Sequence, residues 1–191
     1  MARSLMDEPT FHDNFNNHVN MRKTYLCYEV ERLEGDLWIP LDERKGFLRN
    51  EGADVVLHRW QRRHAEPIFL ERMVSWKLNK ELRYRVTCFI SWSPCADCAN
   101  MLVAFLQNNK HVDLRIFASR IYDWHLDWKA GLRALRAAGA EVAMMTSKEF
   151  VHCWENFVDH QDKAFQPWDD LDVRSKELSR ELEGILQNQE E

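Results

Sequence analysis

Two short motifs, separated by 27 residues, constrain this chain more than any other feature of its sequence. The first reads H-x-E over residues 64–66, and the second reads P-C-x-x-C over residues 94–98. One imidazole and two thiols are donors that suit zinc, and three protein ligands leave a fourth position open for water. Zinc lowers the pKa of such a water to about 7, and Glu66 stands where a carboxylate can transfer its proton. We therefore predict zinc ligands at His64, Cys95 and Cys98.

Two other interpretations of these motifs remain open from the residues alone. A structural zinc knuckle needs a fourth protein ligand, for which His111 is the nearest candidate after Cys98. An isolated C-x-x-C is also common by chance. The combination of H-x-E with a proline directly before the first cysteine is far more specific, and it resembles the signature of zinc-dependent nucleobase deaminases.

The length of the chain predicts one domain over residues 1–191, because no linker or internal repeat divides it. We expect flexible ends at residues 1–10 and 188–191. No apolar run approaches the ~20 residues that span a bilayer, so we expect no membrane partner. The polar N-terminal sequence is not typical of a signal peptide. We therefore expect a cytoplasmic or nuclear location, or both.

The cysteines and the charges also bear on the environment and the partners. Cys27, Cys88 and Cys153 lie outside the metal motifs, and we expect them to be reduced core thiols. The net charge of −5 is unevenly distributed, since residues 155–191 hold 11 acidic and 4 basic residues. Residues 1–154 therefore carry a net charge of +2. Basic pairs such as Arg22-Lys23 are then available to line a groove, although solvated surface charge explains them equally well.

Hydrophobic periodicity predicts alternating strands and helices. The predicted strands cover 24–33, 37–41, 46–50, 84–91, 112–118 and 141–145. The predicted helices cover 65–78, 95–107, 126–138, 147–158 and 170–187, with a short helix around Phe11 and Phe15. The alternation after residue 64 favours an α/β fold with helices packed on a central sheet. Both halves of the metal motif then lie at helix N-termini, where free N–H groups favour thiolate and developing negative charge.

Six stretches together resemble the AID/APOBEC polynucleotide cytidine deaminases, and they look most like a single catalytic domain of the antiviral branch. These are TYLCYEVERL (24–33), GFLRN (46–50), RHAE (63–66), FISWSPCADCA (89–99), RIYD (120–123) and FQPWDDLD (165–172). The likeness covers residues 9–189. It implies a cytidine-deaminase-like three-layer α/β fold, with a central five-stranded mixed sheet surrounded by six helices.

The resemblance also implies an activity and a substrate site. The activity is zinc-dependent hydrolysis of cytosine to uracil in single-stranded DNA, in antiviral or retroelement defence, with one Zn²⁺ per domain and Glu66 as the proton shuttle. The substrate-binding residues are then Arg22, Thr24, Asn50, Ala65, Trp92, Ser93, Tyr122, Asp123 and Trp124. In this family the loop at 122–124 contacts the base 5′ to the target. An aromatic residue at position 124 resembles versions that prefer thymine there, so we expect a TC-leaning context.

Several alternatives stay open at this point. A catalytically weak member that binds or edits RNA fits the same motifs, and so does a free-nucleoside deaminase with a closed pocket. Trp92 also suits plain core packing, Trp124 also suits a contact with Trp128, and Asn50 also suits a turn. Arg22 stands where relatives often have a histidine that grips bent single-stranded DNA. The sequence is compatible with either a monomer or a weak dimer.

Overall fold

In the part of the chain that the structure describes, six α-helices and six β-strands follow one another in the predicted order. A computed structural model of the chain describes residues 3–51 and 63–187. The strands are β1 (Tyr25–Glu34), β2 (Leu37–Pro40), β3 (Gly46–Arg49), β4 (Tyr84–Trp92), β5 (Val112–Arg120) and β6 (Glu141–Met144). The helices are α1 (Glu8–Phe15), α2 (Ala65–Trp76), α3 (Ala96–Asn108), α4 (Trp128–Ala137), α5 (Ser147–Phe157) and α6 (Leu171–Gln187). The predicted strands and the five helices predicted with bounds end within two residues of these positions.

The strands form one mixed sheet in the order β2-β1-β4-β5-β6. β1 pairs antiparallel with β4, and β4, β5 and β6 run parallel. β3 pairs with the first half of β1, while β2 pairs with the second half. β2 and β3 therefore share one edge position, separated by a 3₁₀ turn at Asp42–Arg44. The expected five-stranded sheet is thus confirmed, with its outer position broken in two.

Helices cover both faces of the sheet, as the alternating strand pattern requires. On one face α2, α3, α4 and most of α6 pack on a core that includes Leu26, Val86 and Ile90. On the other face α1 and α5 pack on a smaller core around Cys27 and Phe89. This arrangement confirms the three-layer α/β fold with six helices.

The N-terminal segment packs on α5. Met6 is buried, and its N–H donates to the carbonyl oxygen of Phe157 at 2.8 Å. Asp7 caps α1 by accepting from the N–H of Thr10. Part of the segment expected to be flexible is therefore packed, while residues 188–191 lie outside the described residues, as do residues 52–61 of the predicted polar loop. Among the described residues, no helix combines the length and the apolar character that crossing a bilayer requires.

Candidate active site

The site lies at the carboxyl ends of β4 and β5, where ligand sites of α/β sheets commonly form. The register places Trp92, the last residue of β4, beside Arg120, the last residue of β5. β1 runs antiparallel to β4, so its first residues reach the same edge of the sheet. The chain just before β1, with Thr24, therefore lies near the ends of β4 and β5.

Three candidate metal ligands meet at two helix N-termini. His64 is the residue that precedes α2, and Cys95 is the residue that precedes α3, as predicted. The Nδ1 of His64 lies 3.5 Å from the Sγ of Cys95 and 3.2 Å from the Sγ of Cys98. Tetrahedral zinc, with Zn–N of about 2.0 Å and Zn–S of about 2.3 Å, would separate nitrogen and sulfur by about 3.5 Å. The donor set and its spacing therefore fit zinc.

The alternative of a closed structural site requires a fourth protein ligand. Within residues 3–51 and 63–187, the ligand cluster consists of His64, Cys95 and Cys98. His111 lies beside Tyr84, with ring centroids 6.3 Å apart, at the amino ends of β4 and β5. The amino ends of these strands lie at the opposite end of the sheet from the ligand cluster, so His111 is not the fourth ligand. The described residues thus offer a three-ligand site, which is the catalytic type.

Without a bound metal, the thiols of Cys95 and Cys98 have very different pKa values. A hydrogen bond from Cys98 lowers the pKa of the Cys95 thiol to about 4, and the same bond raises the pKa of Cys98. The hydrogen bond to Cys95 raises the pKa of His64 above its ordinary value. Metal ligation requires both thiols as thiolates and His64 as a neutral imidazole, so binding would release protons.

Glu66 lies at the floor of the site, in the first turn of α2. Glu66 is 5% exposed, and its carboxyl group lies near the Cys98 thiol. Burial raises the pKa of Glu66 to about 7. A carboxyl group with such a pKa can both accept and return a proton near neutral pH, as a general acid–base catalyst must.

The ligand cluster and Glu66 open into a cleft of about 440 Å³. Its walls come from the segment before β1, the end of β3, and the segments that follow β4 and β5. The lining residues are Asn20, Arg22, Thr24, Asn50, His64, Glu66, Trp92, Ser93, Cys95, Tyr122, Trp124 and His125. Seven of the nine predicted substrate-binding residues are in this set. Ala65 is fully buried at the start of α2, and Asp123 is exposed outside the lining.

Hydrogen bonds fix the positions of several lining residues. The Oδ1 of Asn50 accepts from the N–H of Thr24 at 2.9 Å, and the N–H of Asn50 donates to the carbonyl oxygen of Thr24 at 3.0 Å. The Oγ of Ser93 accepts from the N–H of Tyr122 at 2.8 Å. Asn50 therefore continues the pairing of β3 with β1 and holds Thr24 beside the cleft, rather than acting only as a turn residue.

Three aromatic side chains form one wall of the cleft. Trp92 is 9% exposed, and its ring lies 5.2 Å from that of Trp124, which is 43% exposed. Tyr122 meets Trp124 edge to face, also at 5.2 Å. Burial raises the pKa of Tyr122, which keeps its phenol protonated. Trp92 thus packs in the core and also forms part of the cleft wall. Trp124 packs on Trp92 while part of its ring stays exposed to solvent.

Two of the lining residues, Asn20 and His125, were not among the predicted site residues. His125 has a left-handed backbone conformation with φ of 70°, and its ring lies 6.2 Å from Tyr122. A non-glycine residue in this conformation is uncommon and often marks a functional loop. The position of His125, just beyond the aromatic run 122–124, was the only sequence signal that could have indicated its place in the cleft.

The chain was compared with known proteins. The model of the APOBEC3 family, described as a cytosine deaminase domain, matches residues 4–186. The chain belongs to the APOBEC3 family. The APOBEC3 chain is 50% identical over 193 residues to the "DNA dC->dU-editing enzyme APOBEC-3G" of Papio anubis, covering 99% of this chain and 50% of that protein. The corresponding protein of Pongo pygmaeus is 49% identical, with the same coverage.

A shorter relative is the "DNA dC->dU-editing enzyme APOBEC-3H" of Felis catus, 45% identical over 166 residues, which are 86% of this chain and 79% of that protein. The APOBEC3 chain therefore spans about half the length of the APOBEC-3G relatives and most of the APOBEC-3H relative. Zinc dependence is a property of such deaminase domains. His64, Cys95 and Cys98 form the group in this APOBEC3 domain that could hold the zinc ion.

Proposed function

We propose that this chain hydrolyses cytosine to uracil in single-stranded DNA. The observation that carries the proposal is the position of Glu66, which is buried beside the three-ligand cluster at the floor of an open cleft. A purely structural zinc site would gain nothing from an adjacent buried carboxyl group. The printed names of the relatives, which are DNA dC->dU-editing enzymes, support the same reaction.

Glu66 performs the proton transfers of this reaction. His64, Cys95 and Cys98 would hold the zinc ion, which would act as a Lewis acid and make water a nucleophile at neutral pH. Glu66 takes a proton from the attacking water and delivers it to N3 of the cytosine ring. A C4–O bond forms, and the C4–N bond breaks as Glu66 transfers the second proton of that water, from the new hydroxyl group on C4, to the departing amino group. The products are uracil and ammonia, so the atoms of cytosine and water are all accounted for.

The cleft supports a polynucleotide rather than a free nucleoside as the substrate. Its floor holds the reactive groups, while its rim is open and carries the exposed ring of Trp124. A base turned out of a strand can enter such a cleft while the backbone continues along the rim. Stacking on Trp92 and Tyr122 would contribute about 1–3 kcal/mol per base. Asn50 and Thr24 offer hydrogen bonds to the sugar or to the base edge.

The finer parts of the proposal concern context, role and location. Trp124 on the rim supports a TC-leaning context, and Arg22 in the lining segment before β1 supports a phosphate contact. We further propose a role in antiviral or retroelement defence, and a location in the cytoplasm, the nucleus or both. Fluorescence imaging of the tagged chain tests the location, since a signal confined to a membrane compartment would contradict it.

The test of the function measures uracil formation on four substrates: single-stranded DNA, duplex DNA, single-stranded RNA and free cytidine. We expect rapid product formation on single-stranded DNA and none above background with Glu66→Gln. Equal activity of the wild type and Glu66→Gln would overturn the mechanism. Faster turnover of cytidine or of RNA would replace the substrate class. A zinc-loaded chain that is inactive on every substrate would indicate a binding module instead.

A further inference from the structure

A buried arginine lies directly behind the aromatic wall of the cleft. Arg120, the last residue of β5, is 4% exposed and lines no part of the cleft itself. Burial lowers the pKa of Arg120 to about 10, so it remains charged at neutral pH. Within the described residues, its side chain forms no ion pair with an acidic group, and its Nε and Nη2 have no hydrogen-bond partner. A buried charge with so few partners is costly and needs an explanation.

The guanidinium group of Arg120 supports Trp92 from behind. Its Cζ lies 4.3 Å from the centroid of the Trp92 ring, which is the contact distance of a planar cation stacked on an indole. On the rim of the cleft, Trp124 packs on Trp92 with ring centroids 5.2 Å apart. Arg120, Trp92 and Trp124 are therefore consecutive members of one packed row that runs from the interior to the rim.

Arg120 also anchors the segment between α1 and β1, which lines the cleft beside the aromatic wall. Its Nη1 donates to the carbonyl oxygens of Asn14 and Asn16, at 2.6 and 2.8 Å. These residues end α1, and the chain runs from them through Asn20 and Arg22 into the cleft. Trp92 holds the same segment farther along, since its Nε1 donates to the carbonyl oxygen of Met21 at 2.8 Å. One side chain thus fixes both the aromatic wall and the adjacent segment that precedes β1.

We propose that Arg120 is a positioning residue that determines how strongly the cleft discriminates the base next to the target cytosine. It acts through Trp92 and Trp124 and does not itself touch the substrate. The inference rests on the proposed deamination and adds a determinant outside the cleft. Without the planar guanidinium face behind it, the ring of Trp92 can occupy more positions. Trp124, which packs on Trp92, then discriminates less between different flanking bases.

The test compares kcat/KM on four oligonucleotides that differ only in the base 5′ to the target cytosine. Arg120→Lys keeps a positive charge and a donor but has no planar face for Trp92. We expect the ratio between the best and the worst oligonucleotide to fall at least about threefold in Arg120→Lys. A purely structural role would lower all four values by the same factor and leave the ratio unchanged. Arg120→Gln, which keeps a planar amide, is expected to retain more of the ratio than Arg120→Lys.

Arg115→Lys is the matched control. Arg115 lies on the same strand, stacks over Phe117 with its Cζ 6.0 Å from the ring, and donates to the Oγ1 of Thr87. It is remote from the cleft, so this variant should keep the wild-type ratio. A folded Arg120 variant with the wild-type ratio would overturn the inference, as would a wild type that shows no preference among the four bases. A wild type that forms no uracil on any oligonucleotide would instead overturn the proposed function.

Discussion

The cleft has two halves that are built in different ways. The ligand half consists of His64, Glu66, Cys95 and Cys98, which lie within the first turns of α2 and α3 or directly before them. The loop half consists of residues 16–24 and 121–127, which follow α1 and β5, together with Trp92 at the end of β4. Reactive groups are therefore carried by helices, while the groups proposed to contact the nucleic acid are carried mainly by connecting segments.

This difference corresponds to different physical requirements. Proton transfer depends on hydrogen-bond distances, so its groups need fixed positions in a rigid environment. Recognition of neighbouring bases tolerates variation, and loops accept sequence changes that helices do not. The loop half contains two non-glycine residues with positive φ, His125 and Asp127, and between them Leu126 is 88% exposed. Such a conformation is uncommon outside glycine and is retained where the surrounding structure holds it.

If the ligand half carries the chemistry, the largest effect of a single substitution on kcat is expected at Glu66. Glu66→Gln preserves the size of the side chain but removes the group that accepts and returns protons. We expect kcat to fall by about 10²–10⁴-fold, the usual contribution of general acid–base catalysis. Zinc content by elemental analysis and the thermal midpoint should stay near those of the wild type. A variant that loses both its metal and its activity would assign Glu66 to metal retention instead.

Removal of the metal should affect the stability of the ligand half more than a single surface substitution does. His64, Cys95 and Cys98 join the starts of two helices, so zinc binding is coupled to folding. With zinc at about 1,000 times its Kd, the loss amounts to about 4 kcal/mol of unfolding free energy. That change corresponds to a fall in Tm of roughly 10 °C for a chain of this size. Calorimetry with and without a chelator measures it, and zinc, but not magnesium, should restore the wild-type value. An unchanged Tm would show that the cluster binds no metal.

The fold and the ligand half could be predicted because their signals are local. Alternating apolar residues indicate strands such as β4 and β5, and the spacing of apolar residues indicates α3. His64 and Cys95 each precede a helix in the structure, as Pro67 and Pro94 suggested from the sequence. The ligand motifs indicate zinc chemistry directly, because few other functions require an imidazole, two thiols and a carboxyl group at these spacings.

The loop half could be predicted only in part, because its geometry depends on long-range contacts. The resemblance indicated Trp92, Tyr122 and Trp124, but it did not indicate Asn20 or His125. Arg120 was part of the motif RIYD, and nothing in that motif shows that its guanidinium group is buried behind Trp92. The split of the outer strand position into β2 and β3 likewise depends on a 3₁₀ turn that periodicity does not predict.

Within the loop half, the comparison predicts that Trp92 affects binding more than chemistry. Trp92→Leu removes a stacking surface worth about 1–3 kcal/mol per base, so KM should rise by roughly 10–100-fold while kcat changes less. Steady-state kinetics on a single-stranded oligonucleotide separate the two constants. Trp76→Leu is the matched control, since Trp76 packs on Tyr28 and Phe69, away from the cleft. A similar rise in KM in both variants would mean that general loosening of the core, rather than stacking, explains the effect.

The smallest predicted effect concerns the support of the ligand half. Gly131 on α4 packs against the first turn of α3, where an added Cβ would lie 3.1 Å from the Cβ of Ala99 and 3.2 Å from the Cα of Ala96. Gly131→Ala would gain about 1 kcal/mol in helix propensity but lose about 1–3 kcal/mol through overpacking. We therefore expect a net loss of about 1 kcal/mol of unfolding free energy, measured by urea denaturation.

Gly184→Ala separates helix propensity from packing. Gly184 lies on α6 with no atom within 4 Å of an added Cβ, so the same substitution should stabilise the chain by about 0.5–1 kcal/mol. Gly131→Ala should also lower kcat, because the contacted turn of α3 holds Cys95 and Cys98, whereas Gly184→Ala should leave kcat unchanged. If Gly131→Ala is as stabilising as Gly184→Ala, then α3 shifts freely, and the ligand half is no more rigid than the loop half.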